Sequence, residues 1–122
     1  MDLELGDAQS AFARIIWEQE PVTSGKLVEL AGERLHWKKS TTYTVLRKLC
    51  DKGLFQNEGG VVTARISADD FFTGKAAQIV DTAFHNSLPA FVAAYVSKRD
   101  LTPKEAEEIR ALIDRFRKEG SP

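Results

Sequence analysis

Cysteine is almost absent: Cys50 is the single thiol in 122 residues. One thiol makes neither an intrachain disulfide nor a thiolate metal cluster within one chain. Long apolar runs are missing too. No stretch approaches the roughly 18 apolar residues of a membrane span. The first residues, MDLELGDAQS, carry acids where an export signal carries bases. These absences lead to the expectation of a cytoplasmic chain with no membrane partner. Internal repeats and low-complexity stretches are also lacking.

Catalytic chemistry has little to rest on. The two histidines, His36 and His85, lie far apart in the chain and belong to no triad pattern. No HExxH, P-loop or Gly-rich dinucleotide turn is present. Beside Trp37, His36 reads as turn structure, and His85, near a helix end, as a surface or interface residue. The Asp69-Asp70 pair is explained as an N-cap cluster in front of Phe71. The expectation is therefore no enzyme, no catalytic residue, no metal and no cofactor.

A strong charge of either sign is absent as well, the formal net value being −1. The distribution says more than the sum. Between Arg34 and Lys52 stand Arg34, Lys38, Lys39, Arg47, Lys48 and Lys52, opposed only by Asp51. A local basic stripe on a near-neutral chain is the footprint of a DNA-binding element, although charge alone describes a solvated helix face equally well.

What is present is a packable composition, 43% hydrophobic and 29% charged, with readable periodicity. A first helix is predicted from Asp7, as N-cap, to about Glu20, with Phe12, Ile15 and Ile16 on one face and Pro21 as its stop. A second follows Thr23 as cap, with Leu27, Leu30 and Ala31 as its stripe. It frays near Gly32 or runs to about Leu35. A third fits Ser40 or Thr41 through Lys52. There Thr42, Val45, Leu46 and Leu49 fall at i, i+3, i+4 and i+7, Cys50 joins them, and Gly53 closes the helix. Leu54–Asn57 and Val61–Ile66, around Gly59-Gly60, read as a hairpin. Three helices and a hairpin are the order of a winged helix. Trp17 and Trp37 read as core or lid residues rather than stacking platforms.

The remainder changes character. One helix is expected from Ala68 to about Asn86 and another from Leu88 to Ser97. A last one enters through Thr102-Pro103-Lys104-Glu105 and runs toward Gly120, leaving Gly120-Ser121-Pro122 as a loose tail. So few residues cannot bury that many large side chains alone. They fold back or pair with a second chain, and a two-fold dimer matches a palindromic DNA site. The fold class expected is mainly α with a small β-hairpin: a winged helix-turn-helix domain over 1–68, then a helical dimerisation region over 69–122. The dimer residues expected are Ile79, Phe84, Leu88, Phe91, Tyr95, Ile109, Leu112, Ile113 and Phe116.

A helix entering the major groove offers its N-terminal residues to base edges, here Ser40, Thr41, Tyr43 and Thr44. Lys38, Lys39, Arg47 and Lys48 flank them within reach of phosphates, and Arg65 is the remaining cation on the hairpin.

These residues carry a resemblance. Ile15-Ile16-Trp17, Pro21-Val22-Thr23, His36-Trp37, Ser40 through Leu49, Lys52-Gly53-Leu54 and Leu101 through Glu105 together resemble the penicillinase repressor (BlaI/MecI) family over almost the whole chain. The resemblance implies a homodimeric repressor on a palindromic operator, with groove-facing roles for Thr41, Thr44 and Lys48, and an upstream sensor or protease as inducer. Departures accompany it. Lys38-Lys39 replaces the family's Ser-Pro entry, which shifts the expected cap to Ser40. The wing is shorter and carries Gly60-Val61-Val62-Thr63 in place of a Gly-Arg-x-aromatic pattern. Ala94-Tyr95 stands where antibiotic-responsive members are cleaved at Asn-Phe, which speaks against that induction route. The cysteine cluster of copper-responsive relatives is absent. Two alternatives stand beside this reading: a small-molecule-sensing winged-helix regulator with a pocket near Phe84, His85 and Tyr95, and a winged-helix protein-interaction module that binds no DNA.

Overall fold

The computed structural model describes residues 4–117. The tail expected at Gly120-Ser121-Pro122, and the end of the last helical stripe at Gly120, lie outside those residues. The chain forms two compact units, the first ending at Gln78 and the second beginning at Ile79. No helix among the described residues is long and apolar enough to cross a membrane.

Helix α1 (Asp7–Gln19) buries Phe12, Ala13, Ile15 and Ile16. Its cap is Gly6 rather than the expected Asp7. The Gly6 carbonyl accepts from Ser10 N at 2.9 Å and its amide donates to Gln9 Oε1 at 3.4 Å. Asp7 instead occupies the first turn, where a carboxylate complements the helix dipole. Pro21 ends the helix as expected, and Glu20 Oε1 accepts from Ala64 N at 2.8 Å, tying that end to the sheet.

A short strand β1 (Val22–Thr23) follows, which periodicity does not indicate. Thr23 serves twice: it pairs with Val61, and its Oγ1 accepts from Lys26 N at 3.1 Å to cap α2 (Ser24–Leu35). His36 then leaves α2 in the left-handed region, φ 59°, the turn role expected of it.

Helix α3 (Lys39–Asp51) buries Thr42, Leu46 and Leu49. Gly53, at φ 86°, reverses the chain into β2 (Phe55–Glu58), which pairs with β3 (Val61–Ala64). Gly59 and Gly60 both take positive φ, 60° and 87°, which a two-residue hairpin of the right twist requires. The sheet order is β1-β3-β2, antiparallel throughout.

The first unit has a closed core. Phe12, Ile16, Leu27, Leu49, Leu54, Phe55 and Val62 are buried together. Trp17 packs in a tilted arrangement at 5.2 Å from Phe55 and 5.4 Å from Phe71, and its Nε1 donates to the Ile66 carbonyl at 3.0 Å. Trp37 lies 5.2 Å from Phe12. Phe71 and Phe72 belong to α4 (Ala68–Ala83), so the first turns of that helix complete the first unit. The first compact unit therefore takes in the start of α4, to Gln78. Ser67, not Asp69 or Asp70, caps α4: its Oγ accepts from Asp70 N at 3.0 Å.

The second unit contains the end of α4, α5 (Leu88–Val96) and α6 (Pro103–Phe116). His85 and Asn86 take φ 50° and 64°, which ends α4 at Ala83, short of the expected Asn86. Ser87 caps α5. The capping box expected at α6 is present, with Glu105 N to Thr102 Oγ1 and Thr102 N to Glu105 Oε1 both at 3.1 Å. Phe84 and Phe91 meet edge to face at 5.5 Å. Among the described residues of this unit no side chain is buried.

Candidate nucleic-acid interface

The helical period divides α3 cleanly. Thr42, Leu46 and Leu49 enter the core, while Lys39, Ser40, Thr41, Tyr43, Thr44, Arg47 and Lys48 are exposed, with Lys38 exposed at the cap position. One surface thus carries hydroxyls and cations together. Of the six bases in the stripe, two are engaged elsewhere. Arg34 Nη1 pairs with Glu18 at 2.7 Å, and Lys52 Nζ donates to the Glu4 carbonyl at 2.6 Å. Both contacts are solvent-exposed, and an exposed ion pair such as Arg34–Glu18 contributes little stability.

The entry to α3 differs from expectation. Lys38, not Ser40, is the N-cap, and no side chain caps the helix. The first-turn amides consequently have no side-chain acceptor. Ser40 lies inside the first turn, and its carbonyl accepts from Thr44 Oγ1 at 2.9 Å. Thr44 has therefore spent its hydroxyl proton on the backbone. It presents a lone pair and a methyl, suited to a base amino group or a thymine methyl. Buried Thr42 makes the equivalent bond to the Lys38 carbonyl at 3.2 Å, which satisfies its hydroxyl inside the core.

Arg65 is exposed, but it sits at the open end of the hairpin, where its amide donates to the Leu54 carbonyl at 2.9 Å. The turn itself, Glu58-Gly59-Gly60-Val61, carries no cation. Asn57, which the sequence places only within the hairpin, shares a cleft with Tyr43, Leu46, Arg47 and Cys50. Its signal is an Asn placed before a Gly-Gly turn: Oδ1 accepts from Gly60 N at 3.0 Å. Burial, aided by neighbouring Asp51, pushes the Cys50 thiol pKa up. No cluster of three or more metal-ligating side chains forms among the described residues.

In the second unit the expected dimer residues separate into two surfaces. Leu88, Ile109, Leu112, Ile113 and Phe116 line an apolar groove of about 680 Å³, together with Pro89, Val92 and Ala93. Leu112, Ile113 and Phe116 are 51%, 57% and 74% exposed there. Phe84, Phe91 and Tyr95 line a separate cleft with Ala94, Lys98 and Arg99. His85 does not line it. Ile79, exposed on α4, lines neither.

The penicillinase repressor family model matches residues 5–115, from just before α1 to the last turn of α6. This chain belongs to the penicillinase repressor family. It is similar to the methicillin resistance regulatory protein MecI of Staphylococcus aureus (strain Mu50 / ATCC 700699), at 21% identity over 116 residues covering 92% of this chain and 94% of that protein. A member of this family is a transcriptional repressor, and the family is not one of enzymes. The match runs through both units, so the helical second unit is as much part of the family as the winged helix.

Proposed function

We propose that this repressor binds a palindromic duplex operator as a homodimer, in the cytoplasm and without a cofactor. In this reading Thr41 and Thr44 face base edges, and Tyr43 stands beside them toward the backbone. Lys38, Lys39, Arg47 and Lys48 neutralise phosphates, and Ser40 lies at the groove entry. Arg65, set back from the hairpin turn, contributes at most a peripheral phosphate contact. The observation that carries the proposal is the single exposed face of α3, on which every one of those side chains lies but Arg65 and Lys38, the latter exposed at its cap, while the opposite face is in the core.

The apolar groove between α5 and α6 supports the dimer. Covering a large side chain that stands half exposed or more returns about 1–2 kcal/mol, roughly half of the value for burying it completely. An identical groove on a second copy supplies that cover under two-fold symmetry.

Selection of binding sites from a random duplex pool by the full chain tests the reading. The expected product is an inverted repeat. Enrichment of nothing leaves the protein-interaction alternative, and enrichment of an unrepeated half-site removes the dimer. The Phe84–Phe91–Tyr95 cleft, of about 370 Å³, favours small-molecule sensing as a second reading, because Lys98 and Arg99 bring cations to an aromatic wall. A small aromatic carboxylate that releases the operator would support that reading.

A further inference from the structure

Where α3 meets the wing, a cleft of about 370 Å³ opens between Tyr43, Leu46, Arg47 and Cys50 of the helix and Asn57 of β2. The four helix residues recur at i, i+3, i+4 and i+7, and so form one stripe that shares Leu46 with the buried one. Leu46 is buried and Cys50 half-buried, while Tyr43, Arg47 and Asn57 are exposed. Asn57 Oδ1 is held by the Gly60 amide at 3.0 Å, which leaves Nδ2 as the donor.

The polar groups of the rim are then a guanidinium, a phenol and an amide N–H, and no carboxylate lines the cleft. Glu58, the next residue of β2, falls on the alternate face of the strand. Burial and the charge of neighbouring Asp51 raise the Cys50 pKa, so the thiol stays protonated and adds no charge of its own; Asp51, beside it on α3, does not line the cleft. The volume corresponds to about a dozen water molecules of liquid, at about 30 Å³ each.

We propose that this cleft seats one phosphodiester of the DNA backbone, with Arg47, Tyr43 and Asn57 donating to its oxygens. The inference rests on the reading that α3 lies against duplex DNA. It gives the hairpin a part in binding although its turn carries no cation.

The only thiol of the chain is the reporter. N-ethylmaleimide labelling of Cys50 in the full chain, with and without a mixed-sequence duplex at low salt, is expected to slow several-fold on DNA. In parallel, Asn57→Asp keeps the acceptor that Gly60 requires and replaces the donor by a negative charge. It is expected to weaken duplex binding roughly tenfold or more, the size of one missing charge-assisted hydrogen bond. Asn57→Ala removes the turn bond as well.

If Asn57→Asp binds like the native chain and only Asn57→Ala is weak, Asn57 merely holds the turn and the proposal is overturned. If duplex is bound but Cys50 labels at its free rate, the cleft lies off the DNA and the α3 reading survives without it. If no duplex binds at any salt, both readings fall.

Discussion

The two units handle the same kind of residue in opposite ways. In the first, Phe12, Phe55 and Phe71 are at most 1% exposed, and three helices and a three-stranded sheet close over them. In the second, Phe116, Ile113 and Leu112 stand more than half exposed, although α6 is as well capped as any helix in the chain. Local signals are therefore sufficient in both regions, and tertiary closure occurs in only one. A helix with a correct cap and a correct stripe still needs a surface to put the stripe against, because most helical stability in water comes from packing.

The contrast is steepest in the core. Phe55→Ala is expected to cost the first unit roughly 3–5 kcal/mol, whereas Phe116→Ala should cost it nothing. Denaturant unfolding followed by tryptophan fluorescence reads this directly, because Trp17 and Trp37 both belong to the first unit. Equal destabilisation by the two would mean that the second unit supports the first.

A charge in the apolar groove should sharpen the contrast. Ile113→Asp is expected to weaken self-association by about 3 kcal/mol or more, over a hundredfold, by leaving a carboxylate buried without a partner. Sedimentation would then show monomers whose first unit melts as before. A variant that remains dimeric would remove the groove as the interface between copies.

Smaller effects are expected on the exposed face of α3. Arg47→Ala or Thr44→Ala should weaken operator binding by about 1–3 kcal/mol without altering the dimer, and an unchanged gel shift would release that face from its role. Replacing Lys38 and Lys39 by Gln should lower the salt slope of binding by about one for each phosphate that is no longer neutralised.

The smallest effect concerns Cys50. Its folded pKa lies above the ordinary thiol value of 9.0. The unfolded chain therefore releases this proton first, and the stabilisation is complete below that value and fades as pH rises toward the folded pKa. Cys50→Ala should flatten the decline in stability above about pH 9, as read by melting curves across that range. An unaltered slope would mean that other groups set it.

Much of this is legible in the sequence because it is local. The core stripe of α3, the Gly53 reversal, the Gly59-Gly60 turn and the Thr102–Glu105 box each depend on residues within a turn or two of one another. Five features are not. Strand β1 is two residues long, and a period of two cannot be read from Val22-Thr23. The cap of α3 falls on Lys38 because the backbone, not a side-chain oxygen, starts that helix. Thr44 has the hydroxyl of a base-edge donor, yet its proton is bonded to Ser40. Phe71 joins the first unit because Trp17, far away in sequence, offers it a ring. Asn57 becomes a candidate site residue only when the hairpin brings it beside Arg47.

The order of residues alone determined which segments are helical, which face of each is apolar, where each turns, and that a basic, hydroxyl-bearing surface exists on α3. These follow from short-range sterics, capping and period, which act whatever the rest of the chain does. Three-dimensional packing decided the rest: that the first unit ends at Gln78, that two of the six bases are tied to Glu18 and Glu4, that the wing and α3 share a cleft, and that the α5–α6 groove stays uncovered in the single chain. Each depends on residues distant along the chain meeting in space, and they meet only where the accumulated burial of both partners exceeds the entropy of bringing them together.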